Sequence, residues 1–128
     1  MKKVIYPKVG GVDSIEILDV EEPQASEGEV VVRIHRAGIN FADLERREGL
    51  DGSKPDFPFT PGYEESGVII SLGKGVKGLK LGDRVLAMTG FGGYSEKVSI
   101  PSSRVFKLPD SVTFDQAAAI PVTYGTAY

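Results

Sequence analysis

The chain has 128 residues, enough for one domain with its own core, and its net charge is −3. Apolar residues make up 41% and charged residues 26% of the sequence, a composition that excludes an intrinsically disordered chain. Lys and Arg form no cluster, so nucleic acid is not an expected partner. No segment approaches the roughly 18 apolar residues of a membrane span, and the apolar run before Pro7 is too short for a signal peptide. We therefore expect a cytoplasmic protein without a membrane span.

The residue types that bind transition metals are almost missing. The sequence has no cysteine and a single histidine, His35. Disulfides, thiolate catalysis and cysteine-based zinc sites are therefore excluded, and no metal site is predicted. Any redox chemistry must depend on an organic cofactor.

Short extended segments between glycine- and proline-marked turns dominate the chain. They predict seven strands, at residues 2–6, 14–20, 30–36, 66–72, 83–88, 94–100 and 105–108. The first two strands are close enough in sequence to pair as a hairpin. In the third, Val30, Val32 and Ile34 share one face, whereas His35 lies on the more polar face and is expected to be structural or solvent-facing. The predicted fold is mainly β with short helices, in a closed or partly open barrel.

Two capping patterns predict short helices. Asn40 precedes a helical segment with an acid at Asp43, and Gly49 ends it. Thr113 and Gln116 have the spacing of a capping box before a run of alanines. Residues 120–128 carry no charge, and we expect more protein downstream of them.

The glycines at 73, 75 and 78 match the G-x-G-x-x-G string of dinucleotide-binding proteins. A phosphate site needs a helix to open at the third glycine, but here another strand follows. We expect a surface turn, with the dinucleotide gripped by a domain outside this chain.

Several segments in their order along the chain resemble the amino-terminal, GroES-like domain of medium-chain dehydrogenases/reductases. These are AGINFAD (37–43), TPGYEESG (60–67), GDRV (82–85) and residues 117–128. The resemblance covers almost the whole chain and is strongest to the quinone oxidoreductase branch, which includes the vesicle amine transport protein homologues. It implies that residues 1–128 form a substrate-binding, catalytic domain and that a Rossmann domain follows.

The resemblance also implies a zinc-free enzyme. Zinc-dependent members place a cysteine and a histidine where this sequence has Asn40 and Tyr63, which are poor zinc ligands. Members without zinc pass a hydride from NADPH to quinones or α,β-unsaturated carbonyls. By this resemblance, Asn40 and Tyr63 are the catalytic candidates, and Asn40, Asp43 and Thr126 are the candidates for contact with the cofactor. The full-length protein is expected to be a homodimer.

The reaction requires a hydrogen-bond donor, because hydride addition builds negative charge on the carbonyl oxygen. The amide of Asn40 and the phenol of Tyr63 can both donate a hydrogen bond. Each residue also has a structural interpretation. Asn40 and Asp43 can simply cap their helix, Tyr63 can be a packing ring, and Thr126 can cap a helix.

Two further pairs bear on the site. Relatives often carry tyrosines where Glu45 and Asp51 stand, which puts quinone as the specific substrate in question. Glu64 and Glu65 are adjacent, so in a strand they cannot share a proton, and we expect both to be structural. By resemblance, Glu64 ties down the loop near the cleft.

Two other functions remain open. The same barrel can act as a protein-binding module, as co-chaperonins do, through the segment at residues 49–59 with Leu50, Phe57 and Phe59. A small barrel can also bind single-stranded nucleic acid through surface aromatics, although the acidic balance argues against it.

Overall fold

A computed structural model describes residues 1–52 and 56–128. In this part of the chain seven strands and three short α-helices form, and the seven predicted strands are confirmed in their order. The strands are β1 (Lys2–Ile5), β2 (Glu16–Asp19), β3 (Glu29–Ala37), β4 (Glu65–Leu72), β5 (Arg84–Ala87), β6 (Lys97–Pro101) and β7 (Val105–Lys107). The helices are α1 (Phe41–Glu48), α2 (Phe114–Ala118) and α3 (Gly125–Ala127), and a π-helical turn (Ile120–Tyr124) precedes α3.

The strands form two antiparallel sheets. β1 and β2 pair as the predicted hairpin, and the other five strands have the order β6-β3-β4-β5-β7. The hairpin is attached to the larger sheet region by hydrogen bonds from Val4 N to Tyr94 O and from Tyr6 N to Phe59 O, both 2.9 Å. The end strands β6 and β7 do not pair with each other in the described residues. The prediction of a mainly β, GroES-like, partly open barrel is confirmed.

The core lies on one face of the five-stranded sheet, where β-branched side chains from neighbouring strands meet. Its buried members are Val30, Val32, Ile69, Val85, Ala87, Ile100 and Val105. Val31 on the opposite face of β3 is buried as well, so that face is less polar than expected. His35 is exposed and stacks on Phe114 with 4.5 Å between ring centroids, which agrees with the predicted solvent-facing position.

Two strands begin two or more residues later than predicted, because local hydrogen bonds hold the preceding residues in turns. β2 starts at Glu16, since a 3₁₀ turn (Val12–Ser14) is closed by the Ser14 hydroxyl, which donates to Gly11 O at 2.7 Å. β6 starts at Lys97, since Ser95 donates its hydroxyl back to Gly92 O at 2.7 Å.

The glycine string at residues 73–78 is a turn between β4 and β5, as expected, and a strand follows it. Gly75 and Gly78 have φ values of 82° and 76°, which favour glycine. Gly73 permits close backbone contact, because a Cβ there would lie 1.7 Å from Ser26 O. The three glycines are therefore explained by the backbone conformation and the close backbone contact of this turn.

The segment proposed for protein binding, residues 49–59, exposes only some of its apolar side chains. Leu50 is exposed, but Phe57 and Phe59 are half-buried, and Phe59 packs its ring against Tyr6 with 5.5 Å between centroids. Residues 53–55 of this segment lie outside the described residues. The packing of the two phenylalanines does not favour a docking loop.

None of the helices in the described part of the chain has the length and hydrophobicity that crossing a lipid bilayer requires.

Glu65, the first residue of β4, is an acid buried in the sheet, with an exposed fraction of 0%. Burial raises the pKa of its carboxyl group to about 8, and the charge of Glu64 adds to the increase, while the hydrogen bond with Thr89 opposes it. Thr89 Oγ1 lies 2.9 Å from Gly62 O and 3.0 Å from Glu65 Oε1 but has only one hydrogen. With a pKa of about 8, the Glu65 carboxyl group is mostly protonated at pH 7.

The raised pKa predicts how stability changes with pH. The folded state keeps the Glu65 proton up to about pH 8, whereas the unfolded chain loses it near the ordinary value of 4.5. The contribution of Glu65 is thus fully present below pH 4.5 and is lost as the pH rises to about 8, with a total on the order of a few kcal/mol.

We expect the free energy of unfolding of the wild type to fall relative to that of Glu65→Gln between pH 5 and 9. Glutamine keeps the shape of the neutral acid and cannot ionise. Urea denaturation across this range, followed by circular dichroism, measures the difference. Parallel curves for the two proteins would show that Glu65 does not titrate in this interval.

Candidate functional site

Asn40 stands at the start of α1, where it serves both as cap and as donor. Its backbone is extended, and its N–H donates to the Asp43 carboxylate at 3.0 Å, which is one half of a capping box. Its side-chain amide donates to Glu64 Oε1 at 3.0 Å. Gly49 ends the helix in the left-handed conformation, with φ 73°. The predicted cap is confirmed, and the amide keeps a second N–H hydrogen for another acceptor.

Asp43 is a buried anchor with an exposed fraction of 1%. Besides the bond from Asn40, its carboxylate accepts from the Tyr94 hydroxyl at 2.6 Å and from Gly62 N at 3.3 Å. Burial, together with the hydrogen bond to Asp43 and its charge, holds the pKa of Tyr94 well above its ordinary value, so Tyr94 remains a donor. Asp43 therefore links the start of α1 to the turn before β4. Its contact with a cofactor stays a prediction.

Glu64 joins two elements that border the site. It is 1% exposed, and its Oε1 accepts from Asn40 while its Oε2 accepts from Val122 N at 2.7 Å. Gly38 makes room for this carboxylate, because a Cβ there would lie 2.4 Å from Oε1. Glu64 thus ties the start of α1 to the π-helical turn, a geometry consistent with the loop-tying role inferred by resemblance.

Tyr63 presents an unused donor. Its backbone is held by Thr89, whose N–H donates to Tyr63 O at 3.0 Å. Its hydroxyl is buried and has no hydrogen-bond partner among the described residues. Burial raises the pKa of Tyr63, although the Arg46 charge acts in the opposite direction, so the hydroxyl keeps its proton. The side chain borders a cavity of about 310 Å³, whose other lining residues are Met88, Gly90, Ser103, Arg104, Phe106 and Val122.

Thr126 is the middle residue of α3 and is exposed. Tyr124 caps that helix, so Thr126 does not have the capping role that was its structural alternative. No hydrogen bond found within the described ranges joins Thr126 to Asn40, Asp43 or Tyr63. The structure therefore brings the first three candidates into one linked region and leaves Thr126 apart from their network.

Sequence reasoning missed three residues of this region. The sequence places Tyr94 only in a strand, Val122 only in an uncharged segment, and Arg46 only in the helix that follows Asn40. Each reaches the site through a long-range contact that has no local sequence signal. Of the residues noted as departures, Asp51 accepts from Arg46 Nε at 2.8 Å.

In residues 1–52 and 56–128, no three His, Asp or Glu side chains gather in a group that suits a metal ion.

Comparison with known proteins identifies the family. The sequence profile named "Alcohol dehydrogenase GroES-like domain" matches residues 26–110. Over 128 residues the chain is 37% identical to the human synaptic vesicle membrane protein VAT-1 homolog-like. The alignment covers 100% of this chain and 30% of that protein. The chain thus spans about a third of the length of this curated relative.

Solved structures agree with the sequence match. The crystal structure of the human VAT-1 homolog-like protein superposes with a TM-score of 0.96 at 37% identity, covering 100% of this chain and 41% of that one. Escherichia coli quinone oxidoreductase complexed with NADPH gives 0.93 at 32% identity, with coverages of 100% and 39%. The chain therefore belongs to the alcohol dehydrogenase GroES-like domain family of the medium-chain dehydrogenase/reductase superfamily, with relatives among the VAT-1 and quinone oxidoreductase-like proteins.

Proposed function

We propose that this chain is the substrate-binding half of an NAD(P)H-dependent reductase that acts on quinones or α,β-unsaturated carbonyls by hydride transfer, without zinc. The observation that carries the proposal is the buried Tyr63 hydroxyl, a donor without an acceptor in residues 1–52 and 56–128, on a side chain that borders a cavity. The relatives with quinone oxidoreductase names support the reaction class. The complete protein is proposed to be a cytoplasmic homodimer.

The proposed reaction requires hydrogen-bond donors at the carbonyl oxygen of the substrate. Hydride addition to the β-carbon of a conjugated carbonyl moves an electron pair towards the oxygen, and preorganised donors stabilise that charge. Tyr63 supplies its hydroxyl hydrogen, and Asn40 supplies the amide hydrogen that Glu64 does not use. The Glu64 carboxylate keeps the amide oriented, so little reorganisation is needed when the substrate binds.

The same donor set is a poor fit for zinc. A neutral amide and a protonated phenol are weak zinc ligands, and the sequence supplies no cysteine near them. Asn40 and Tyr63 therefore take over the polarising task that a metal performs in zinc-dependent relatives.

NADPH, when bound, supplies the hydride. We assign its main binding site to a Rossmann domain outside this chain, and to this chain only the contacts near the nicotinamide. Asn40, Asp43 and Thr126 are the proposed contacts here. Asp43 also holds Asn40 and the turn at Gly62 through the hydrogen bonds that its two oxygens accept. The apolar residues Met88, Phe106 and Val122 line the same cavity as Tyr63.

Removal of the Tyr63 hydroxyl tests its proposed catalytic role. In the full-length protein we expect Tyr63→Phe to lower kcat/KM for an enone about 10- to 100-fold, which is roughly 1.4 to 2.7 kcal/mol of transition-state stabilisation. Its melting temperature should be unchanged, since the hydroxyl has no hydrogen-bond partner to lose among the described residues. Steady-state NADPH oxidation and thermal unfolding are the measurements.

Tyr94→Phe is the contrasting variant, because that hydroxyl donates to the buried Asp43. It should lower the free energy of unfolding by about 1 to 3 kcal/mol. Unchanged kcat/KM in Tyr63→Phe would remove Tyr63 from the reaction.

The 128-residue chain by itself is expected to be inactive, because the main cofactor site is assigned to another domain. NADPH oxidation is to be followed with a panel of enones and quinones, with the full-length protein as the positive control. Appreciable turnover by the 128 residues alone would contradict the division of labour between the two domains.

A further inference from the structure

Glu65 is a buried acid that packs against the turn between β5 and β6. Its exposed fraction is 0%, and its carboxyl group lies against Gly93, where a Cβ would be 1.4 Å from Oε1. Its cross-strand partners are Ala37 on β3 and Ala87 on β5. Bulk water therefore does not reach the carboxyl group, and its hydrogen bonds must come from the protein.

Thr89 connects this acid to the backbone of Tyr63. Its N–H donates to Tyr63 O at 3.0 Å, and its Oγ1 lies 2.9 Å from Gly62 O and 3.0 Å from Glu65 Oε1. Gly62 O belongs to the peptide group that joins Gly62 to Tyr63. Thr89 thus contacts the carbonyl oxygens on both sides of the Tyr63 Cα atom.

The number of hydrogens limits how the two contacts of the Thr89 hydroxyl are made. The hydroxyl has one hydrogen, and Gly62 O can only accept, so both contacts are hydrogen bonds only if that hydrogen goes to Gly62 O. The contact with Glu65 Oε1 then requires a hydrogen on the carboxyl group. Glu65 Oε2 has no hydrogen-bond partner in the described part of the chain, which costs less for a neutral acid than for a carboxylate. The geometry fits a protonated Glu65 that donates to Thr89.

The groups around Glu65 do not compensate a negative charge on it. Burial, followed by the charges of Glu64 and Asp43, raises the pKa of its carboxyl group to about 8, while the hydrogen bonds with Thr89 oppose the increase. Tyr94, which also interacts with Glu65, keeps its proton. Among the described residues no Lys or Arg side chain contributes to this shift. An ionised Glu65 therefore depends on the donors of Thr89.

We propose that Glu65 is a positioning residue for Tyr63, because the carboxyl hydrogen that it donates to Thr89 Oγ1 leaves the Thr89 hydrogen for Gly62 O. The inference rests on the function proposed above, in which Tyr63 donates to the reacting oxygen. When Glu65 ionises, its carboxylate is the stronger acceptor and takes the Thr89 hydrogen. Gly62 O then loses its donor, and the peptide group before Tyr63 is no longer held. Tyr63 is thus placed for the reaction only while Glu65 is protonated.

The carbonyl carbon of Gly62 reports the hydrogen bond without turnover. In the 128-residue chain we expect its ¹³C NMR shift to titrate with a midpoint near pH 8, where Glu65 loses its proton. In Glu65→Gln the shift should stay constant between about pH 6 and pH 9, because the glutamine amide can donate to Thr89 and does not ionise in this range. The NMR spectrum of each protein shows whether it is folded.

Asp83→Asn is the matched control. Asp83 is another buried acid, 7% exposed, whose carboxylate accepts from Lys80 N and pairs with Lys107. It makes no hydrogen bond to Thr89 or Gly62, so its replacement should leave the titration of the Gly62 carbonyl as it is in the wild type.

Kinetics on the full-length protein connect the contact to the reaction. We expect kcat/KM for an enone to fall about tenfold between pH 7 and 9, as the protonated fraction of Glu65 falls from about 0.9 to about 0.1. This fall should be absent in Glu65→Gln and present in Asp83→Asn. It should also be absent in Tyr63→Phe, whose remaining activity no longer depends on the placement of a hydroxyl. Thermal unfolding at each pH shows that the proteins are folded during the assay.

The outcomes separate this inference from the proposed function. A Gly62 carbonyl shift that does not titrate in the wild type, or that titrates equally in Glu65→Gln, would overturn the inference. The same holds for a fall of kcat/KM at alkaline pH that persists in Glu65→Gln or in Tyr63→Phe. A titration of Gly62 that depends on Glu65, in a protein that oxidises no NADPH with enones or quinones, would refute the proposed function alone.

Discussion

The site depends on one buried carboxylate, Glu64, whose two oxygens bind two different elements. One oxygen holds the Asn40 amide at the start of α1, and the other holds Val122 N in the π-helical turn. Burial of an unpaired charge costs several kcal/mol, so donors at both oxygens are required for the charge to be tolerated. Because Glu64 is 1% exposed, water cannot replace either donor. The distance between the two elements is therefore fixed by a single side chain.

Three acids share this region, and they differ in their hydrogen-bond partners. Asp43 and Glu64 each accept two or more hydrogen bonds. Among the described residues Glu65 is hydrogen-bonded to Thr89, and its burial raises the pKa of its carboxyl group to about 8. The turn that carries Tyr63 thus lies between Asp43, which accepts from Gly62 N, and the protonated Glu65.

In the proposed function, this arrangement lets uncharged hydrogen-bond donors stabilise the developing negative charge. Asn40 and Tyr63 contribute no charge themselves, but the surrounding carboxylates and backbone donors fix their positions. In a dry site, fixed dipoles stabilise developing charge more effectively than mobile water does. Arg46 adds a cation beside Tyr63, with Asp51 as its counterion.

Local sequence determined the elements of this protein: alternation in β3, the caps at Asn40 and Thr113, and a turn in place of a phosphate loop at Gly73–Gly78. These follow from interactions within a few residues. Family resemblance located Asn40, Asp43 and Tyr63 as candidates, but it had no means of showing that Asp43 is buried or that the Tyr63 hydroxyl has no acceptor in the part of the chain that the structure describes. Only the tertiary structure decided which carboxyl binds which donor, and it brought Tyr94, Arg46 and Val122 to the site. Their contacts join residues far apart in the chain, and such contacts depend on how the sheet and helices pack, which no local pattern encodes.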